Sequence, residues 1–404
     1  MSVLSSTSKN NISNNIIGLA PMEGVTCLAS RLWFSQTSYP DFAMTPFLRV
    51  TRDYPWKRVA STYAAEIFDL KKCFNYDLIP QLMGTSPEDL ERIATPLLSN
   101  TSFVDINCGC PSPKVVGSHA GSGLLEKSEV FSNFVNGLES RLGEKKFSIK
   151  MRSGFTSDEE FPELLKIVAH AKISQLTLHA RTRKDRYTGK ARWNLIHAAS
   201  QECSFPIVGS GDITDFKSFQ KLSQQAPNLN KFIIGRGALR NPWIFKELRE
   251  KTSVTISNQV LITSLATFAI LQELVVRDSQ KLFNLIERGD FLSSCDTNEE
   301  RWENLYHKLS NALFGDYIPT AKLNVERASF ARVKMIWNSL RSSLPEKFME
   351  PTLLRSACFS DFAHSFMGLC EKKEILLPLE YKEQFDWIYS GAKNHEHENQ
   401  QRHN

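Results

Sequence analysis

The chain has 404 residues, 41% of them hydrophobic, with eight cysteines, a formal charge of +5 and a sequence pI near 8.7. That length buries a large core and divides naturally into a main domain of roughly 250 residues and a smaller one. No apolar run of membrane-spanning length and no secretory leader is read, and unpatterned cysteines fit a reducing compartment. The composition therefore argues against an anchored or disulfide-built protein and predicts a cytoplasmic one, while the mild positive charge permits a polyanionic partner.

In chain order, residues 1–15 form a polar, Ser- and Asn-containing leader. Short apolar runs then recur at Ile17 to Ala20, Phe42 to Phe47, Leu78 to Met83, Phe103 to Ile106, Phe147 to Met151, Gln175 to His179, Phe205 to Val208 and Lys231 to Ile234. Each is followed by a stretch long enough for a helix. Eight such units in about 230 residues is the arithmetic of an α/β chain folded as a (β/α)8 TIM barrel. A doubly wound sheet normally shows a G-x-G-x-x-G after its first strand, where this chain has Pro21-Met22-Glu23-Gly24. Ser86-Pro87-Glu88-Asp89 and Ser157-Asp158-Glu159-Glu160 supply helix starts after strands. From Val260 to Val276, Arg301 to Leu313 and Ser329 to Leu344 the period is helical with no strand between, so an all-helical C-terminal domain is predicted. The expected divisions are 16–248, 249–388 and a disordered tail, 389–404, with 289–300 as a loop.

Strand exits of a barrel converge on one face. Here they carry Pro21, Met22, Gln81, Asn107, Cys110, Lys150, Arg152, His179, Arg181, Gly209, Gly211, Gly235 and Arg236. The glycine turns 209–211 and 235–237 follow strands seven and eight, where this fold gathers backbone N–H groups around a phosphate. Cys108 and Cys110 have no second C-x₂-C pair to complete a metal site, and no metal is expected. A nucleophile or proton donor is the better reading of the pair.

The segments LAPMEGV (19–25), DINCGCPSPKVVGSHAGSGLL (105–125), KMRSGF (150–155), LTLHARTRKDRYTGKARW (176–193), PIVGSGDI (206–213) and IIGRGAL (233–239) make residues 17–245 resemble the catalytic domain of the tRNA-dihydrouridine synthases. FARVKMIW at 330–337 is similar to the branch that modifies uridine 16. The resemblance implies an FMN-dependent barrel that reduces the C5=C6 bond of a D-loop uridine, with NADPH, or alternatively NADH, as electron source. It makes Cys110 the general acid. Pro21, Met22, Gln81, Asn107, Lys150, His179, Gly209, Ser210, Gly211, Gly235 and Arg236 become the FMN site, and Arg181 lies near the uridine. Ser210 departs from the usual Asn between the glycines, and Arg192 from the usual polar or acidic residue before the tryptophan.

A tRNA substrate needs a wide, positive surface. At the strand ends Arg152 and Arg181-Thr182 meet either flavin phosphate or RNA backbone, and Arg183, Lys184, Arg186 and Lys190, in the loop after His179, add a positive patch beside the pocket. Arg327, Lys334 and Arg341 recur every seven residues and would share a helix face. A monomer is expected. Two rival readings are an FMN reductase of a small pyrimidine and a non-catalytic tRNA-binding protein. The first leaves the basic helical domain without a task, and the second leaves Cys110 and its polar neighbours without one.

Overall fold

In the computed structural model, residues 15–55, 63–68, 70, 74, 76–289, 291, 297–370 and the backbone of 375–376 are described. Most of the expected leader, the expected tail and part of the 289–300 loop lie outside them. Eight parallel strands run in chain order. They are β1 (Ile16–Leu19), β2 (Phe42–Met44, continued at Leu48–Arg49), β3 (Asp77–Ile79 and Gln81–Met83), β4 (Val104–Cys108), β5 (Phe147–Gly154), β6 (Leu176–Thr182), β7 (Ile207–Ser210) and β8 (Lys231–Ile234). Pro80, which has no N–H, interrupts β3. Its first half pairs with Phe42–Met44, while its second half pairs with both Leu48–Arg49 and β4. The β1 strand pairs with β8 on one side and β2 on the other. Every strand thus has two neighbours, and the sheet closes as the expected (β/α)8 barrel.

Alternation along each strand sorts the side chains. In β4, Val104, Ile106 and Cys108 join the apolar core between sheet and helices, while Asp105 and Asn107 turn toward Gln81 inside the barrel. A separate apolar cluster of Ala20, Phe42, Met44, Ile79, Val208 and Ile233 packs together. Gly18 makes room for it, since a Cβ there would sit 2.3 Å from Cζ of Phe42. The observed strands run further at their C-terminal ends than the apolar runs predict. Asn107, Cys108, Arg152, Arg181, Thr182 and Ser210 are strand residues, because a barrel mouth buries its polar groups in the ladder.

Among the described residues after β8, the regular structure is helical apart from the two-residue strand Ile256–Ser257 and its partner Ile375–Leu376. The helix Asn258–Arg277 is long and apolar enough to cross a membrane by length and composition, and 83% of its apolar window is buried inside this fold. It packs on the helix Leu28–Thr37, where Trp33 Nε1 donates to the Ser264 carbonyl at 2.9 Å and Gln272 Nε2 to Cys27 Sγ at 3.5 Å. The helix Arg327–Leu340 reaches the barrel mouth directly, with Arg332 Nη1 donating to the carbonyl of Gly24 in the β1 exit loop. Gly24 has φ +70°, a left-handed turn that favours glycine. Below that loop, buried Arg31 pairs with Glu66 at 2.5 Å and donates to the carbonyls of Thr26 and Tyr63, and Tyr63 Oη donates to the Gln81 carbonyl at 2.6 Å. This brace fixes the β1 exit and Gln81 relative to each other.

Candidate active site

The residues at the mouth of β3 to β5 form one hydrogen-bonded row. Asp105 accepts from Ser148 Oγ at 2.5 Å and from Gln81 Nε2 at 2.7 Å. Gln81 Oε1 accepts from Asn107 Nδ2 at 2.9 Å, and Asn107 Oδ1 accepts from the N–H groups of Gly109 (3.1 Å) and Cys110 (2.9 Å). The Cys110 carbonyl is held in turn by Ser122 Oγ at 2.8 Å. The backbone of Cys110 is therefore fixed on both sides, leaving its half-buried thiol over the mouth. Burial raises that thiol's pKa, Glu23 adds to the rise, and the cations of Arg152 and Lys150 oppose it. The thiol keeps its proton at neutral pH. Cys108 faces the core, is 0% exposed and is pushed far up by burial, so strand alternation separates the two cysteines.

Opposite the row stands a ring of cations. Burial lowers the Lys150 ammonium to about 8, with Asp105 pulling it up and Arg152 pushing it down. Burial, then Arg152, Lys150, Arg181 and Arg236, hold His179 well below the usual histidine range, so its ring is neutral. Arg181 Nη1 lies 3.2 Å from His179 Nε2. A guanidinium can only donate, which makes Nε2 the acceptor and puts the imidazole proton on Nδ1. Met22 closes the near side. It sits in a turn whose carbonyl accepts from Val25 and Thr26, and its Sδ lies 3.7 Å from where a Cβ on Gly235 would be.

The two glycine turns differ. Gly211 has φ +128°, and a Cβ there would collide with Ala191 Cβ at 2.6 Å, so only glycine fits. Gly235 is bounded by the Ala20 methyl and Met22 Sδ at 3.6 and 3.7 Å, leaving an approach to the backbone that opens the helix Arg236–Arg240. Gly209 lies inside β7. A Cβ there would lie 2.9 Å from the Trp193 ring, so its lack of a side chain serves packing.

A family model described as "Dihydrouridine synthase (Dus)" matches residues 18–288, two thirds of the chain. The chain belongs to the dihydrouridine synthase family. A probable tRNA-dihydrouridine synthase of Aquifex aeolicus is 32% identical over 182 residues, covering 44% of this chain and 56% of that protein. A tRNA-dihydrouridine(47) synthase [NAD(P)(+)] of Malassezia globosa is 32% identical over 47% of this chain and 28% of its own length. The chain thus spans little more than half of the first relative and under a third of the second. A tRNA-dihydrouridine(16) synthase of Yersinia pestis is 30% identical over 55% of this chain and 73% of its own. Among solved structures, an old yellow enzyme homologue from Zymomonas mobilis is similar at TM-score 0.43 and 11% identity, over 59% of this chain and 89% of that one.

In this family member several cations expected on RNA have other partners. Arg152 is 2% exposed and donates to the carbonyls of Gly109, Thr182 and Arg186. Arg181 is equally buried and donates to the carbonyls of Thr188 and Gly189 and to Asp212 at 2.6 Å. Thr182 is buried, with its N–H on Asp185. These three hold the loop 183–190 in place instead of meeting a phosphate. Lys334 Nζ donates to the carbonyls of Leu354 and Ser356, and Arg341 to the Met349 carbonyl and Asn338. The seven-residue spacing put them on one face, but that face packs against the following turns. Arg327 is exposed at the start of its helix. Arg192, a departure from the family pattern, pairs with Asp158 and, at 2.6 Å, with Asp185.

Lys184, Arg186 and Lys190 are exposed beside the mouth, while Arg183 lies over the Phe155 ring at 4.9 Å. The sequence reading missed Tyr187, 43% exposed, whose ring lies 5.4 Å from the Arg152 guanidinium and 5.0 Å from that of Arg236. An aromatic residue inside the cationic run RKDRYTGK was the available signal.

Proposed function

We propose that this protein is a flavin-dependent tRNA-dihydrouridine synthase that reduces a D-loop uridine, position 16 in the first instance, with bound FMN and with NADPH as electron source. The observation that carries the reading is the Cys110 thiol, held protonated by burial at the barrel mouth within reach of Lys150 and Arg152, with neutral His179 and Arg236 next to Lys150. The residues fit FMN by their chemistry. Gln81, Asn107 and Lys150 offer donors to the polar edge of a flavin ring, Met22 offers an apolar contact, and the turns at Gly211 and Gly235–Arg236 suit a phosphate. When bound, the reduced flavin supplies a hydride to C6 of the uracil. Cys110 gives its thiol proton to C5, and the resulting thiolate regains a proton from water. Lys150 and Arg236 would hold the group's ring edge and phosphate by supplying positive charge. The (16)-type relatives and FARVKMIW support position 16, and the exposed cations Lys184, Arg186 and Lys190 beside the mouth favour tRNA over a small pyrimidine.

Incubation with FMN, NADPH and unmodified tRNA transcript, followed by mapping of dihydrouridine, tests this. Dihydrouridine at position 16 is the expected result. Modification at another position alone overturns the site assignment, and none despite NADPH oxidation overturns the tRNA substrate.

The RNA footprint follows the exposed cations. Besides Lys184, Arg186 and Lys190, the helices Ser279–Glu287 and Glu299–Phe314 flank a groove of about 520 Å³ with Lys281, Arg288 and Lys308 in its lining. Charge reversal of Arg186 and Lys190 together should weaken tRNA binding about tenfold or more and flatten its salt dependence by roughly two phosphate contacts, without altering flavin binding. Filter binding across a salt series reads both quantities. An unchanged salt slope places the footprint elsewhere.

A further inference from the structure

One buried ionisable side chain is not used by the proposed reaction. Asp105 is 0% exposed, inside the barrel one rung below Asn107. A carboxylate can only accept, so the Gln81 amide must turn Nε2 to Asp105 and Oε1 to Asn107. Asn107 must then turn Nδ2 to Gln81 and Oδ1 to the N–H groups of Gly109 and Cys110. At the other end the backbone N–H groups of Gly109 and Cys110 can only donate, so they turn Asn107 the same way, and Asp105 supplies the charged acceptor in which the row ends.

The same residue faces Lys150. In the register of β4 and β5, Asp105 lies opposite Ser148 and Asn107 opposite Lys150, and Ser148 and Lys150 share the inward face. The charged or titratable groups around Lys150 and its neighbour His179 are Asp105 and Cys110 from β4 and its exit, Arg152 from β5, Arg181 from β6 and Arg236 after β8, while Glu23 after β1 faces Cys110. Arg181 is paired with Asp212, and Glu23 is exposed at the rim. Asp105 is the buried anion of this ring, itself raised to about 6 by burial against the pull of Ser148, Gln81 and Lys150.

We propose that Asp105 is a positioning residue with two outputs: it anchors the inner end of the amide row that shapes the Cys110 turn, and it keeps Lys150 in its ammonium form at neutral pH. The use of that charge rests on the flavin reading, but the charge itself does not. Asp105→Asn separates the outputs. An asparagine can offer its oxygen to Gln81 and its amide to Ser148 Oγ, so the row survives while the negative charge is lost. Asp105→Ala removes both.

The test uses the flavin-free full chain. Competitive acetylation across pH, read by mass spectrometry on the peptide containing Lys150, gives the midpoint at which the amine becomes reactive. The parent midpoint is expected near 8. In Asp105→Asn it should fall by about one unit or more, since a nearby opposite charge is worth one to three units. An unchanged midpoint overturns the charge output. Amide hydrogen exchange at Gly109 and Cys110 reads the row. It should quicken about tenfold in Asp105→Ala and stay at the parent rate in Asp105→Asn. Equal protection in all three proteins overturns the anchoring output. If Asp105→Ala fails to fold, Asp105→Leu, close to the parent in volume and without an acceptor, takes its place: quickened exchange at Gly109 and Cys110 supports the anchoring output and the parent rate overturns it. A parent protein that binds no FMN sinks the functional reading while both measurements here still decide.

Discussion

Cys110→Ala is expected to bind flavin as the parent does and to lose about 10²–10⁴-fold in turnover on tRNA, the usual contribution of a positioned proton donor. The geometry makes this a clean substitution. What holds the turn is the backbone of Cys110, through Asn107 Oδ1 and Ser122 Oγ, and neither bond uses the sulfur. Removing the thiol therefore leaves the row from Asp105 to Gly109 intact and takes away only the proton. Burial supports the role, because a thiol raised above its ordinary value stays loaded at the pH where the ammonium of Lys150 is also present. Cys108→Ala is the control: that side chain lies in the apolar core on the other face of β4, so its loss should cost about 1 kcal/mol of stability and leave turnover unchanged. Single-turnover formation of dihydrouridine by pre-reduced enzyme separates the two. Parent-like turnover in Cys110→Ala, or the loss appearing in Cys108→Ala instead, would remove Cys110 from the chemistry.

Only the family resemblance singled out Cys110 from the pair, although the period-two alternation of a strand, with Val104 and Ile106 marking the apolar face, carries the same distinction. The barrel was legible for a related reason: buried parallel strands read as short apolar runs whatever surrounds them. Their C-terminal ends were not, because the mouth residues that extend β4, β5, β6 and β7 are polar and look like loop. Helical periodicity told which of Arg327, Lys334 and Arg341 share a face, but it carries no information on whether that face meets water or the carbonyls of residues 349–356. The internal partners of Arg152 and Arg181 were missed for the complementary reason. A cation at a strand exit reads as a ligand until the fold of the next loop shows the carbonyls that converge on it. Asp105 was legible only as a carboxylate that orients a neighbour. Its partners, Gln81 on the preceding strand and Ser148 on the following one, are 24 and 43 residues away in sequence.

Lys150→Met should lower turnover about 10²–10³-fold, the scale for losing one preorganised charge in a water-poor site, and should also abolish the alkaline limb of the parent's pH profile. The amide row is expected to survive the change. Without the ammonium beside it the Asp105 carboxyl rises further above about 6 and takes up a proton, yet one of its oxygens still accepts from Gln81 Nε2 while the acid proton turns to Ser148. The alkaline limb belongs to Lys150 before Cys110, since the ammonium is held down near 8 whereas the thiol is pushed up. Stability runs the opposite way. The folded protein releases the Lys150 proton near 8 and the unfolded chain only near 10.5, so the unfolded state binds more protons in that window and this residue makes the fold more stable as pH rises through it. Activity that falls above about pH 8 while the Lys150-dependent part of the melting temperature rises therefore reports loss of the charge and not unfolding. Both trends should vanish together in Lys150→Met, measured as kcat and melting temperature across the same buffers, and an alkaline limb that persists in the variant would assign it to another group.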